Sequence, residues 1–244
     1  MIKVVTFDLW NTLISYKDYA SLRIAYLATL LDKEKLGFDR EVIRQAYTSV
    51  QEHWRLNPLK EYRFVPVKDR VEMILDELDV KVGQDVKLAI VRYFEEVLLE
   101  DPPTSHEGVK LTLESLYGKY PIGLISDSGL TPGRVLRRAL RLRGILRFFR
   151  CTIFSDEVGY NKPNPLIFKQ ALKLLGVQPQ ETVHVGDLPE TDIAGAKRMR
   201  MLTVWVNRDE EVPLDKSFCS DYQIGQLAEV LALLERLAFS PKAE

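Results

Sequence analysis

Lys3-Val-Val-Thr-Phe-Asp-Leu-Trp-Asn-Thr12 decides how the rest of the chain is read. An apolar and β-branched run that stops at a carboxylate describes a strand buried on both faces and ending in a charge. Four similar short runs follow: Pro121-Ile-Gly-Leu-Ile125, Cys151-Thr-Ile-Phe154, Thr182-Val-His-Val185 and Leu202-Thr-Val-Trp-Val206. Each of these four is preceded by a helical pattern, and such alternation predicts crossover connections and a parallel α/β sheet. Open parallel sheets bind ligands beyond the carboxyl ends of their strands. Three of the predicted strands run into polar residues there, at Asp8, at Ser126-Asp127 and at Gly186-Asp187. Carboxylates ending buried strands are costly unless they act on charge. The three ends therefore mark a site.

The pattern changes between residues 17 and 100. Tyr19 to Leu31, Arg40 to Trp54, Val67 to Leu78 and Asp85 to Leu99 have helical periodicity, divided by Lys35-Leu-Gly37, Asn57-Pro58 and Val82-Gly83. Asp101-Pro-Pro103 closes the interval. The expected organisation is an α/β core from residues 1–16 and 101–244, interrupted by an all-helical insertion at 17–100 with hinges near 14–18 and 100–107.

Composition limits the partners. Lys and Arg number 34 against 35 Asp and Glu in 244 residues, so no long-range field favours nucleic acid or an anionic membrane. A small anionic substrate fits better. The first apolar run is stopped by Asp8 before it reaches the length of a secretory segment, and the C-terminal Leu-rich stretch is broken by Glu229, Glu235 and Arg236. A cytoplasmic location is expected. Cys151 and Cys219 lie far apart and suit burial as small hydrophobes in a reduced compartment. His53, His106 and His184 have no zinc-ligand spacing, and His184, inside an apolar strand, reads as a hydrogen-bonded core residue. Nothing in the sequence reports the oligomeric state.

Four segments, in order and each in its strand or loop context, resemble the motifs of the haloacid dehalogenase superfamily of aspartate-nucleophile hydrolases. They are Asp8-Leu-Trp-Asn-Thr12, Ser126 after Ile122-Gly-Leu-Ile125, Lys162 in Tyr160-Asn-Lys-Pro-Asn-Pro-Leu-Ile-Phe168, and Gly186-Asp-Leu-Pro-Glu-Thr-Asp192. The helical insertion resembles the cap of the subgroup containing dehalogenases and phosphoglycolate phosphatases. The resemblance implies a Rossmann-like parallel sheet core with an inserted all-helical cap domain, which closes over a small phosphorylated metabolite. It implies that Asp8 is a covalent nucleophile forming an aspartyl-phosphate. It also implies Mg2+ held by Asp8, the backbone carbonyl of Trp10 and Asp187, with Asp192 completing the metal set by orienting metal-bound water. Lys162 would supply fixed positive charge, and Ser126, with Asp127 and Lys162, would cradle the phosphate. Taken singly, Asp192 also suits the first turn of a helix, and Lys162 an ordinary loop.

The chain departs from the resemblance at two points. Phosphatases of the family carry a second Asp two residues after the nucleophile as general acid and base; here that position is Trp10, whose indole has no such chemistry at neutral pH. Positioned acid–base catalysis is worth ~10²–10⁴-fold, so a slow phosphatase is expected unless another group substitutes. Asp127 stands where many relatives have Asn, and is a candidate for the displaced base. The dehalogenase branch also lacks the second Asp, which makes a 2-haloacid dehalogenase-type carbon–halogen hydrolase the second reading. The acidic Gly186-Asp187…Asp192 pattern opposes it. A catalytically weakened metal- and anion-binding regulatory protein is the third reading. In the insertion, Trp54, Arg55, Tyr62 and Arg63 are candidates for a pocket lining or for helix packing, and Arg134, Arg138 and Arg141 share one solvated helix face.

Overall fold

The computed structural model describes residues 1–55, 62–208 and 220–239. β1 (Val4–Phe7) leads through a loop into four helices, α1 (Ala20–Lys33), α2 (Arg40–Arg55), α3 (Val67–Glu77) and α4 (Gln84–Glu96). Then follow α5 (Val109–Leu116), β2 (Ile122–Ser126), α6 (Gly133–Leu142), β3 (Phe149–Phe154), α7 (Ser155–Val158), α8 (Pro165–Leu175) and β4 (Thr182–Gly186). A wide turn over Pro189–Ile193 opens α9 (Ala194–Arg198), and β5 (Leu202–Val206), β6 (Tyr222–Ile224) and α10 (Glu229–Phe239) complete the fold.

The sheet is parallel throughout, in the order β3-β2-β1-β4-β5-β6. The five strands expected from the sequence are all present. β6 is an addition: three residues on the sheet edge, too short to stand out from its polar surroundings. β1 lies between β2 and β4, with Phe7 opposite Leu124 on one side and Val185 on the other. Chain order reverses between β1 and β4, which is where an open α/β sheet forms its ligand crevice.

Alternation along β1 sorts its side chains between two layers. Val5 and Phe7 join Leu124, Val183, Val185 and Val204 in the larger core, packed under residues of α5, α6 and α10 such as Leu113, Leu136 and Leu233. Thr6 points to the opposite face, where α8 and α9 contribute Phe168, Ala171 and Ala196 to a second cluster. Helices α1–α4 bury a third cluster of their own. Ile24, Leu27 and Leu31 of α1 meet Ile43, Tyr47 and Val50 of α2 at helical spacing, together with Val71, Ile74 and Phe94. The helical unit and the sheet unit also share apolar contacts: Leu130 joins the helical cluster, Tyr19, Val97 and Leu98 join the sheet core, and Tyr93 packs against both. The two connecting segments of the helical unit run side by side: Ser15 N–H donates to Thr104 O at 2.9 Å, and His106 N–H to Leu13 O at 3.0 Å. On its far side Phe64 N–H donates to Gly159 O and Asn161 N–H to Tyr62 O. No helix among the described residues is long and apolar enough to cross a membrane.

Candidate active site

Asp8 is the first residue beyond β1, and its N–H donates to Val185 O at 2.9 Å, continuing the ladder one step into the crevice. Asp127 and Asp187 occupy the equivalent positions beyond β2 and β4. Three carboxylates thus gather at one edge because three neighbouring parallel strands end there, although β2 and β4 run on slightly past β1. Asp192 joins them from the wide turn after β4, where its Oδ2 accepts Leu188 N–H at 3.1 Å. Its carboxyl lies directly against Gly186: a Cβ on that residue would come within 2.4 Å of Asp192 Cγ. The glycine of the Gly-Asp pair therefore makes room for the later aspartate.

Lys162 reaches the cluster from the loop before α8. That loop ends where Asn164 caps the helix by accepting Leu166 N–H at 2.9 Å, with Pro165 in the first turn. Lys162 Nζ donates to Asp8 Oδ1 at 2.5 Å and to Asp192 Oδ1 at 2.6 Å, while its backbone N–H donates to Asp127 Oδ1 at 2.9 Å. The side chains of Lys162, Asp8 and Asp192 are only 3%, 5% and 1% exposed. Behind them His184 sits fully buried between Thr6 Oγ1, 3.0 Å from Nδ1, and Asp192 Oδ1, 3.3 Å from Nε2. Burial pushes the imidazole below its usual range despite Asp192, so it stays neutral. The core role expected for His184 is what it occupies, with Asp192 as its partner.

The electrostatics are short of positive charge. Burial works against the Lys162 ammonium, but Asp192, Asp8 and Asp127 outweigh it and hold it protonated. Burial likewise opposes ionisation of Asp192, yet Lys162 and His184 bring it down to about 2. The other carboxyls are left undercompensated. Burial raises Asp8 well above the carboxylate range in spite of Lys162, with Asp192 and Asp187 adding to the rise. Burial and Asp192 raise Asp187 to about 6, and burial raises Asp127 to about 6. Among the described residues, one lysine faces four carboxyls. Asp8, Asp187 and Asp192 each offer an oxygen within 4.8 Å of the others, a hard-oxygen donor set that fits a divalent cation such as Mg2+. Thr12 Oγ1 donates to Asp187 Oδ1 at 3.2 Å and fixes one of these groups.

Trp10 is half-buried at the mouth of the site. Its Nε1–H donates to Asp127 O at 3.1 Å, tying the end of β1 to the end of β2, and its ring meets Tyr16 edge-on with centroids 6.1 Å apart. Ser126 is fully buried at the last position of β2, and its hydroxyl donates to Asp127 O at 3.2 Å. At this strand end it is Asp127 and Ser128 that face the open crevice. The crevice is a cavity of about 540 Å³ with Asp8, Asp127, Lys162, Asp187 and Asp192 on its floor.

The roof comes from α1, α2 and α3 through Arg23, Tyr47, Gln51 and Arg70. These roof residues are indistinguishable in the sequence from polar positions on the solvent side of amphipathic helices. Arg23 precedes Ile24, Gln51 follows Val50 and Arg70 precedes Val71, and only the placement of the helices over the sheet turns them inward. Tyr62 and Arg63 pair with the Gly159–Asn161 segment and stay out of the described cavity wall; the side chains of Trp54 and Arg55, like Cys219, lie outside the described residues. Arg134 and Arg138 meet Glu96 of α4 at 3.0 and 3.6 Å, so this part of the basic face is neutralised within the chain. Cys151 is half-buried, and burial pushes its thiol up to about 11, away from reactivity.

A profile of haloacid dehalogenase-like hydrolases matches residues 2–200. The glyceraldehyde 3-phosphate phosphatase of Pyrococcus furiosus is 31% identical over 96% of this chain and 94% of its own. A haloacid dehalogenase (HAD) phosphatase from Thermococcus onnurineus superposes with a TM-score of 0.65 at 27% identity, covering 96% of this chain and 98% of that one. The magnesium-bound HAD-hydrolase YfnB of Bacillus subtilis has the same fold, with a TM-score of 0.63, 18% identity, and coverage of 96% and 98%. The match across most of the chain and the aspartates gathered at the strand ends lead to one placement: this protein belongs to the haloacid dehalogenase-like hydrolases.

Proposed function

We propose that the chain is a cytoplasmic, magnesium-dependent phosphatase acting on a small phosphorylated metabolite through an aspartyl-phosphate at Asp8. Residues 1–16 and 101–244 act as the catalytic core, and 17–100 as a cap that excludes bulk water. The observation that carries this reading is the buried contact of Lys162 with both Asp8 and Asp192, beside Asp187, at the switch point of the sheet. Phosphatases are named among the relatives, and a magnesium-bound neighbour shares the fold.

Asp8, Asp187 and the backbone carbonyl of Trp10 would hold Mg2+, with Asp192 beside it orienting its water. The ion supplies the positive charge that offsets the carboxylates and the substrate phosphate. An Asp8 oxygen attacks phosphorus, and the new O–P bond forms as the bond to the leaving oxygen breaks. Lys162 holds the phosphoryl oxygens with Asp127 beside it, and the Ser126 hydroxyl would join them only by giving up its bond to Asp127 O. With its carboxyl at about 6, Asp127 serves both protonation states near neutrality. It gives its proton to the leaving alkoxide and then, as carboxylate, takes one from the water that attacks the aspartyl-phosphate. Inorganic phosphate leaves and Asp8 is restored.

Turnover of p-nitrophenyl phosphate, with Mg2+ and then with chelator, tests the reading, using Asp8→Asn as the blank. The expected result is metal-dependent release of nitrophenol that vanishes in the variant. Equal rates in the two proteins would sink it.

A further inference from the structure

The cavity roof carries positive charge that the described residues leave uncompensated. Arg23 is buried in α1, with Nε donating to Phe94 O at 3.0 Å and Nη2 to Thr131 Oγ1 at 3.4 Å. Arg70 in α3 donates through Nε to Val65 O at 3.2 Å and through Nη1 to Gln51 Oε1 at 3.0 Å. All four acceptors are neutral, and among the described residues neither guanidinium has a carboxylate partner. A guanidinium has more N–H groups than either arginine uses here. Gln51 Nε2 is likewise buried with no acceptor among the described residues. The cap carboxylate that reaches the cavity wall, Asp18, accepts Ala20 N–H at 2.8 Å. Burial holds Arg70 down at about 10 against an opposing effect from Tyr47, and the neighbouring charge of Arg23 adds to the fall. Paired like charges and an orphaned amide donor, facing one cavity, describe a surface suited to an anion.

We propose that Arg70, Arg23 and Gln51 select phosphorylated substrates with a second anionic group, a carboxylate on the carbon skeleton held against the roof while the phosphate sits on the floor. The inference rests on the phosphatase reading of the floor. In the phosphatase reading Lys162 and the divalent ion hold the phosphate on the floor, which leaves the roof for a second group. A planar fork of N–H donors matches a carboxylate edge on, and the Gln51 amide adds a donor. About 540 Å³ leaves room for a short skeleton between the two ends. Substrates of this kind are products of reactions that phosphorylate small hydroxy acids.

The test uses a matched pair, 3-phosphoglycerate and glycerol 1-phosphate, which differ by a carboxylate in place of a hydroxymethyl group. Wild-type protein is expected to favour the acid in kcat/KM by roughly tenfold to a hundredfold, the range of a charged hydrogen-bonded contact. Gln51→Glu keeps the acceptor for Arg70 and supplies the missing counterion in the same volume; it is expected to erase the preference through KM. Arg70→Gln is expected to do the same, with circular dichroism confirming the fold of both variants. Titration calorimetry of Asp8→Asn with each compound reads the same affinity ratio without turnover. Equal affinity for the two compounds, or a preference that survives Gln51→Glu, overturns the proposal while leaving the phosphatase reading intact. Absence of p-nitrophenyl phosphate turnover removes that reading, and the calorimetric ratio still decides the roof.

Discussion

Replacing Lys162 with Met preserves length and removes an ammonium that meets both Asp8 and Asp192, at 2.5 and 2.6 Å. Breaking a buried ion pair from one side costs ~3–5 kcal/mol. At ~2–4 °C per kcal/mol for a chain of this size, the melting temperature should fall by roughly 6–20 °C at pH 7. The loss should depend on pH in a definite direction. In the wild type Asp192 sits at about 2, below its unfolded value of 3.8, so its contribution is present above 3.8 and lost as pH falls toward 2. Without Lys162 the burial of both carboxyls is opposed by much less: Asp8, already above its unfolded value, rises further, and Asp192 rises above its own. The folded variant then binds more protons than the unfolded chain, so its stability increases as pH falls from 7 toward 5. Added Mg2+ should stabilise the variant more than the wild type, because the ion becomes the main positive charge among the carboxylates. Calorimetric melting of both proteins at pH 5 and pH 7, with and without Mg2+, reads all three effects. A deficit equal at both pH values and indifferent to Mg2+ would refute the charge-shortage account and reduce Lys162 to a packing residue.

Two further outcomes separate Trp10 from Asp127. Trp10→Asp restores an acid and base two residues beyond Asp8 while leaving the backbone carbonyl in place, and should raise kcat on unactivated alkyl phosphates by ~10²-fold; an unchanged rate in a folded variant would show that acid–base chemistry is not what limits turnover. Asp127→Asn keeps an acceptor for Lys162 N–H yet cannot exchange a proton, and should lower kcat at least ~10-fold with little change in KM. In the wild type the water-activating step needs Asp127 ionised, so where that step limits the rate kcat should climb as pH rises through about 6; the same profile in the Asp127→Asn variant removes Asp127 from the chemistry.

The sheet and the floor of the site were legible in the chain because they rest on short-range rules. A strand buried on both faces must be apolar, so a carboxylate at its end is conspicuous, and Asp8, Asp127 and Asp187 each announced the end of a strand. Parallel topology then brings such ends to one edge, whatever the intervening sequence. Lys162 and Asp192 were readable only through their motifs, since a lysine before a proline or an aspartate near a helix start is ordinary by itself.

Tertiary structure alone decided three features. The close approach of Asp192 to Gly186 depends on how the turn folds back over the end of β4. The bond from Trp10 to Asp127 O joins residues 117 positions apart. The roof of Arg23, Gln51 and Arg70 is the clearest case. An amphipathic helix tells which of its faces is apolar, but its polar face reads the same whether water or a cavity lies beyond it. Which of the two it meets is set by where four helices dock over the sheet, and that docking rests on contacts scattered from Ser15 to Asn161, backbone hydrogen bonds and apolar residues such as Leu130 together. Local sequence patterns report burial within an element; the chemistry facing a substrate here depends on contacts between elements far apart in the chain.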